Sequence, residues 1–370
     1  MKLRVKNLIL SIFYIIFLYL LADILFSNFY FRQSVDHKCY EHVNDGQFYK
    51  MRQNCFANMR LISSINSFKV YTDEYGFRFS GKKKSIKNKN IIFLGDSQTF
   101  GVGSDWENTF VGILENKYKK FNFVNLAVPS YSPTVYKYTL ENFLINNKDI
   151  KKIFVFIDIT DVADEATRWS TLDEKPILSN EKVIQKDLSF FTEFKKNNFK
   201  GLYLISSKLR SFSRKIRSSL ADEQRMYKPV EGNPTGAFLY TNHDELTGCN
   251  SKEKVAFWDC GGVDKGLRKI TNNIIKISKI AKKNNSEFYL IIMPWPDTLN
   301  YGQTTFNWES YTNNLCFQTN CNKVINLFPK FREIKENDKD WLDFIYLKND
   351  IHLTKNGNKL VAQEIEINSF

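Results

Sequence analysis

Histidine is scarce in this chain: four in 370 residues, at positions 37, 42, 243 and 352. They are scattered, and the six cysteines form no C-x-x-C pair, so metal-site spacing is missing and neither a metal nor another cofactor is expected. No low-complexity tract interrupts a composition that is 43% hydrophobic and 25% charged, ordinary for a globular protein. The net charge of +13 raises the question of nucleic acid or an anionic membrane. No recognition helix, zinc module or aromatic RNA-binding strand accompanies the lysines, which alternate along the chain with asparagine and acidic residues. A solvated Lys-rich surface is the better reading, and nucleic acid is not expected as a partner.

Long apolar runs are also absent, with one exception. After a basic N-terminus, MKLRVK, residues Leu8 to Phe26 are apolar apart from Ser11 and Asp23. Nineteen residues suffice to cross a hydrocarbon core of about 30 Å. Ser27-Asn28-Phe29-Tyr30-Phe31 is too bulky for a signal-peptidase site, which favours an uncleaved anchor over a cleaved leader. The basic flank places residues 1–6 in the cytoplasm, 7–27 in the membrane and the rest on the extracytoplasmic side, periplasmic or extracellular. All six cysteines lie beyond the span. An even number there suggests disulfides, most simply Cys39–Cys55, Cys249–Cys260 and Cys316–Cys321, although six cysteines permit fifteen connectivities.

Residues 28–85 read as a stalk or lead-in, ending in the Lys-rich linker before Ile91. Beyond it, strand and helix patterns alternate through a domain spanning 86–370. Apolar strands are expected at Ile91 to Leu94, Phe123 to Val128, Ile153 to Ile159, Phe288 to Met293 and Val324 to Leu327. Helical spacing relates Phe110, Ile113, Leu114 and Tyr118, then Leu267, Ile270, Ile274, Ile277 and Ala281, and a last helix follows the expected turn at Asn356-Gly357. Periodicity fades over about 165–262, which reads as an insertion shaping access to a site. The fold class expected is α/β: an open, five-stranded parallel sheet flanked by helices, preceded by one transmembrane helix. Ligands of such sheets sit beyond the carboxyl ends of the strands.

The first strand runs into Gly95-Asp96-Ser97, with Gly101 and Gly103 close behind. A serine on a tight turn at a strand end exposes its hydroxyl, and the N–H groups after it point at whatever the hydroxyl attacks. Such turns also occur without any chemistry. A serine nucleophile needs a base and an orienting acid. Of the four histidines, His352 alone lies beyond the fifth strand and before the last helix, at the same sheet edge, with Asp350 two residues upstream. Trp295 with Asp297, and Trp308, lie near the edge of the fourth strand; core packing is a better reading for them than stacking on sugar rings.

Together these segments resemble the SGNH/GDSL hydrolases over roughly residues 71–370. Gly95-Asp96-Ser97-Gln98-Thr99 is similar to that family's first block, Asn125-Leu126-Ala127-Val128-Pro129-Ser130 to its second, and Asp350-Ile351-His352 to its last. Asp73-Glu74-Tyr75-Gly76-Phe77-Arg78 is similar to a segment that precedes the first block in membrane-anchored members. The resemblance implies an ester hydrolase or related O-acyltransferase. Ser97 would be the nucleophile, His352 the base and Asp350 the orienting acid. Asp96, Asn125, Ser130 and Thr160 would lie at the oxyanion and substrate, and an ester or acylated envelope glycan would be the substrate. Three positions depart from the pattern. Ser130 stands where a glycine is usual, Thr160 where an asparagine amide is usual, and Asp350 lies two rather than three residues before His352. The third-block change also leaves open a non-catalytic glycan-binding or assembly protein. The alternative reading of Asp161 or Asp164 is structural, as a cap of the following segment.

Overall fold

The computed structural model describes residues 2–29, 39–43, 48–60, 67–82, 89–172, 175–178, 262–303, 306–348 and 350–370. Two compact units divide the chain: residues 1–36 with 182–225, and residues 37–181 with 226–370. In the first, helix α1 spans Lys2–Phe29, and Leu10, Phe13, Ile15 and Phe17 on it are exposed. Leu8, Ile9 and Phe26 of the expected span lie outside the residues whose side chains are described. Among the described residues no helix is long and apolar enough to cross a membrane.

The second unit is built on an eight-stranded sheet. Its elements begin with the hairpin β1 (Tyr40–Val43) and β2 (Phe48–Met51), which pair only with each other, and continue with β3 (Phe56–Arg60), β4 (Ser67–Thr72) and β5 (Arg78–Phe79). Then come β6 (Lys89–Leu94), α2 (Ser97–Phe100), α3 (Phe110–Lys117), β7 (Phe121–Asn125), α4 (Pro133–Asn146) and β8 (Ile150–Ile157). A short helix α5 (Asp161–Ala163) and a wider turn over Asp164–Arg168 lead to the hairpin β9 (Trp169–Leu172) and β10 (Lys175–Leu178). The last part is α6 (Gly262–Lys283), β11 (Glu287–Ile292), α7 (Pro296–Tyr301), α8 (Trp308–Thr319), β12 (Lys323–Asn326), α9 (Phe328–Asn337), α10 (Trp341–Ile345) and α11 (Lys355–Ser369).

Strand order is β12-β11-β8-β6-β7-β5-β4-β3. The first five are parallel, and numbered along the chain they read 2-1-3-4-5 from β7 outward. This is the flavodoxin-like doubly wound order, whose switch point lies between the first and third strands. Here that is the gap between β6 and β8, and Ser97 follows β6. Side chains alternate across the sheet. Ile92, Leu94, Val155, Ile157 and Ile292 belong to one core, which includes Ile270, Ile274, Ile277 and Ala281 of α6. Phe93, Phe154, Phe156 and Tyr289 belong to the other, with Phe110 of α3 and Val361 and Ile365 of α11. Rings of Phe93 and Phe154, and of Phe154 and Tyr289, stack at 4.8 and 4.9 Å across three adjacent strands.

Two expectations change. The sheet has eight strands rather than five, because β3, β4 and β5 extend it antiparallel beyond β7, joined through Arg78 opposite Asn125. Part of the expected stalk is therefore sheet: Ser67–Thr72 alternates exposed and buried at every residue, the pattern of a half-buried strand. Asn356 and Gly357 lie inside the first turn of α11, whose N-cap is Thr354, accepting from the Gly357 N–H at 3.1 Å.

Arg78 is fully buried. Its Nη1 donates to the Phe100 and Gly101 carbonyls (2.6 and 2.8 Å) and its Nη2 to those of Ser104 and Lys69 (2.6 and 3.1 Å). The guanidinium lies 4.9 Å from the Phe100 ring centroid and 5.6 Å from that of Phe68. Burial lowers its pKa to about 9, so it remains a cation at neutral pH. Replacing Arg78 by Met takes a donor from each of these carbonyls, of which Gly101 keeps the Ser104 N–H (3.2 Å), and unsatisfied buried groups cost about 1–3 kcal/mol each. Urea unfolding of the full chain should show a loss of about 3 kcal/mol or more for R78M. An unchanged midpoint would show that the arginine only fills space.

Candidate active site

The serine turn is built by close approach. A Cβ on Gly95 would meet Thr99 Oγ1 at 2.1 Å, so only glycine lets β6 turn directly into α2. Asp96 caps that helix, Oδ1 accepting from the Gln98 N–H at 3.0 Å, and Oδ2 accepts from Ser97 Oγ at 3.3 Å. From Ile91 to Phe100 every residue is buried except Ser97, which is half-buried. Asn125 braces the turn from β7. Its Nδ2 donates to the Thr99 carbonyl at 2.7 Å and its Oδ1 accepts from the Ala127 N–H at 3.1 Å. Expected at the substrate, it is fully buried and holds backbone instead.

Asp350 and His352 come together in a tight turn closed by the Leu347 N–H on the His352 carbonyl (2.7 Å) and a bridge between Tyr346 and Leu353. Asp350 Oδ1 takes both the His352 backbone N–H (3.0 Å) and the imidazole Nδ1 (2.5 Å). A two-residue spacing therefore suffices, because one carboxylate oxygen serves both groups. A carboxylate can only accept, which assigns the proton to Nδ1 and the lone pair to Nε2. That Nε2 is buried and has no hydrogen-bond partner. The two halves of the site meet where Gln98 Nε2 donates to the Ile351 carbonyl at 3.0 Å. Ser97 and His352 are the chain neighbours of those two residues.

Ser130 has φ +61°, the left-handed conformation that favours glycine. Its carbonyl accepts from Trp169 Nε1 at 2.9 Å, and the Pro129 carbonyl accepts from the Tyr49 hydroxyl at 2.8 Å. The Tyr131 hydroxyl in turn donates to the Tyr49 carbonyl at 2.7 Å. Beside this loop lies a cavity of about 410 Å³, whose wall includes Val128, Tyr131, Phe48, Tyr75, Tyr138 and Lys50.

Thr160 does not offer its hydroxyl to an oxyanion in this arrangement. A hydroxyl has one proton, and this one goes to Asp158 Oδ1 at 2.6 Å, where the Thr160 N–H also donates at 2.8 Å. Asp158 was not singled out from sequence, although a carboxylate directly after the apolar run 153–157 was the available signal. Its Oδ2 accepts from Trp295 Nε1 at 3.3 Å. Asp161 does not cap the following helix: Oδ2 accepts from the Asp158 N–H and Oδ1 from the Tyr136 hydroxyl, both at 3.0 Å. Glu165, which sequence reasoning also missed, braces the start of α4. It accepts from Ser132 Oγ (2.7 Å) and Thr134 Oγ1 (2.6 Å) and pairs with Lys269 at 3.1 Å. Burial pushes the carboxyls of Asp96, Asp158 and Asp161 upward, and that of Asp164 to about 7.

Trp295, Asp297 and Trp308 are buried in the core. Cys39–Cys55 and Cys316–Cys321 form disulfides with Cα–Cα distances of 5.6 and 4.9 Å. Cys249, Cys260, His37 and His243 lie outside the described residues, as does nearly all of the expected insertion. Among the described residues no group of three or more His, Cys, Asp or Glu could hold a metal ion.

By strand order and site placement this is an open, doubly wound α/β protein with a serine at the topological switch point. It is similar to solved structures of esterases. These include the psychrotrophic esterase EstA from Pseudoalteromonas sp. (12% identity, 76% of this chain and 96% of that chain, TM-score 0.37). A lipolytic protein of the G-D-S-L family from Veillonella parvula is 11% identical over 76% and 97% of the two chains, with a TM-score of 0.40. The acetylxylan esterase Axe2 from Geobacillus stearothermophilus is 12% identical over 76% and 94%, with a TM-score of 0.36. No family model and no curated protein matches the sequence.

A left-handed residue with a Cβ costs about 1–2 kcal/mol relative to glycine. Ser130→Gly should therefore raise the melting temperature of the full chain by a few degrees. A lower melting temperature would mean that the serine side chain contributes more than its backbone strain costs.

Proposed function

We propose that this chain is a membrane-anchored serine enzyme of the SGNH/GDSL type that cleaves or transfers an ester acyl group. The observation that carries this reading is the Asp350–His352 pair, with its buried, unpartnered Nε2 joined through Gln98 to the serine turn. In the proposed reaction the Ser97 hydroxyl leaves Asp96 and attacks the acyl carbonyl while His352 Nε2 takes its proton. Asp350 stabilises the imidazolium that forms. The backbone N–H groups of Ser97 and Ser130 hold the oxyanion. Collapse expels the alcohol, which takes the proton back from Nε2, and leaves an acyl-serine. Attack by water then completes a hydrolase cycle, and attack by a sugar hydroxyl an O-acyltransferase cycle.

An acetylated envelope glycan is the substrate of this reading. The cavity beside the Ser130 loop, with tyrosine rings and Lys50 in its wall, has a volume in the range of small-ligand pockets, but Ser97, Asp350 and His352 are not among its lining residues. The basic flank and apolar run of α1 support a single-pass anchor, and the two disulfides an oxidising, extracytoplasmic compartment. The second reading, a glycan-binding or assembly protein without turnover, is favoured by the engagement of Thr160 with Asp158.

A fluorophosphonate probe applied to the full chain in detergent micelles separates the two. Wild-type protein should label, Ser97→Ala should not, and Asp350→Asn should slow labelling by about 10³–10⁴-fold. A folded wild-type chain that takes no label would transfer the assignment to the binding protein.

A further inference from the structure

Gln98 has no role in the proposed chemistry, yet it is 3% exposed and its amide spans the site. Nε2 donates to the Ile351 carbonyl at 3.0 Å, joining positions 253 residues apart in sequence. Its own backbone N–H is fixed by Asp96 Oδ1 at 3.0 Å. The residue before it carries the hydroxyl and the residue after Ile351 carries the imidazole. The two catalytic segments come from different ends of the chain. The serine turn is held by β6 and Asn125, and the histidine turn by its own closure on Leu347. Neither of those local supports sets one segment against the other.

We infer that Gln98 is a positioning residue, whose amide donor sets the register of the Ser97 hydroxyl against His352 Nε2. The inference rests on the serine-enzyme reading and deepens it. The bond leaves the Ile351 carbonyl satisfied and the peptide Ile351–His352 oriented, so that the imidazole stays where the serine proton must go. A neutral donor is required at this point. A carboxylate of the same length would face a carbonyl oxygen with another acceptor, and it regains a donor only when protonated.

The test uses Gln98→Met and Gln98→Glu in the full chain, with Ser97→Ala as blank. Q98M keeps side-chain length and removes the donor. Its acylation rate with the fluorophosphonate, and kcat on an activated ester, should fall about 10- to 100-fold with KM unchanged, the scale expected for a small misplacement of reacting groups. Q98E supplies a readout that simple packing does not move. Its rate relative to wild type should rise as pH falls from about 8 to about 5, because the protonated acid donates again. If the new charge acted only on the imidazole, it would raise the histidine pKa and the ratio would fall over the same range. Wild-type rates in Q98M, or a flat or falling ratio for Q98E, would overturn the positioning role. Failure of the wild-type chain itself to label would instead remove the serine-enzyme reading, and this inference with it.

Discussion

A buried arginine with only carbonyl oxygens as hydrogen-bond partners is a demanding thing to fold around. Arg78 collects the carbonyl of Phe100, the last residue of α2, those of Gly101 and Ser104 just beyond it, and the Lys69 carbonyl from β4. A short helix such as α2 ends with carbonyls that have no intrahelical donor. Here one guanidinium supplies it, and the Gly101 N–H turns back on Ser97 and Gln98. The three antiparallel strands are thus more than an extension of the sheet. They carry the cation that holds the serine turn from behind, and Asn125, paired with Arg78 across β5 and β7, holds it from the side.

The same edge of the sheet gathers negative charge. Asp96 ends β6, Asp158 ends β8, and Asp161, Asp164 and Glu165 follow within a few residues, all buried. Glu165 has Lys269 as a counter-ion and Asp164 has Arg168, whereas Asp158 and Asp161 are held by neutral donors. Desolvation raises the carboxyls of Asp96, Asp158, Asp161 and Asp164, and mutual repulsion raises Asp96 and Asp161 further. Hydrogen bonds from Thr160 and Trp295 work the other way on Asp158, and burial outweighs them. A carboxylate near an imidazole favours imidazolium, and the same charge near an oxyanion opposes it.

How much could be read from sequence follows from where each interaction is made. Ser97, Asp350 and His352 stood out because each lies in a short contiguous run whose chemistry is local. Gly95 and the apolar run before it gave the strand and turn, and the spacing of Ile270, Ile274, Ile277 and Ala281 gave α6. The lead-in strands were hidden by their brevity: Arg78–Phe79 has two residues, too few for any period. Gln98 and Asn125 were within recognised blocks, but their partners lie 253 and 26 residues away, and no local pattern states such a pairing. Thr160 was expected to point at substrate because of its place in the block. The aspartate two residues before it, which takes its proton, decides otherwise.

The oxyanion is where these constraints meet. With the Thr160 hydroxyl committed to Asp158, the donors left for the proposed chemistry are backbone N–H groups, those of Ser97 and Ser130. Losing one donor from such a site typically costs about 3–4 kcal/mol of transition-state stabilisation. Backbone donors offset part of this only if they are held rigidly, since preorganisation is the source of their effect. The Ser130 loop meets that condition unusually well. Its carbonyls are tied to Trp169 and Tyr49, and Tyr131 returns a bond to the hairpin that carries Tyr49. That hairpin is anchored by the Cys39–Cys55 disulfide at the start of the unit. The Thr160 hydroxyl is thus withdrawn while the Ser130 loop is braced from two hairpins. A left-handed serine is sustainable there because its surroundings leave the backbone no other course.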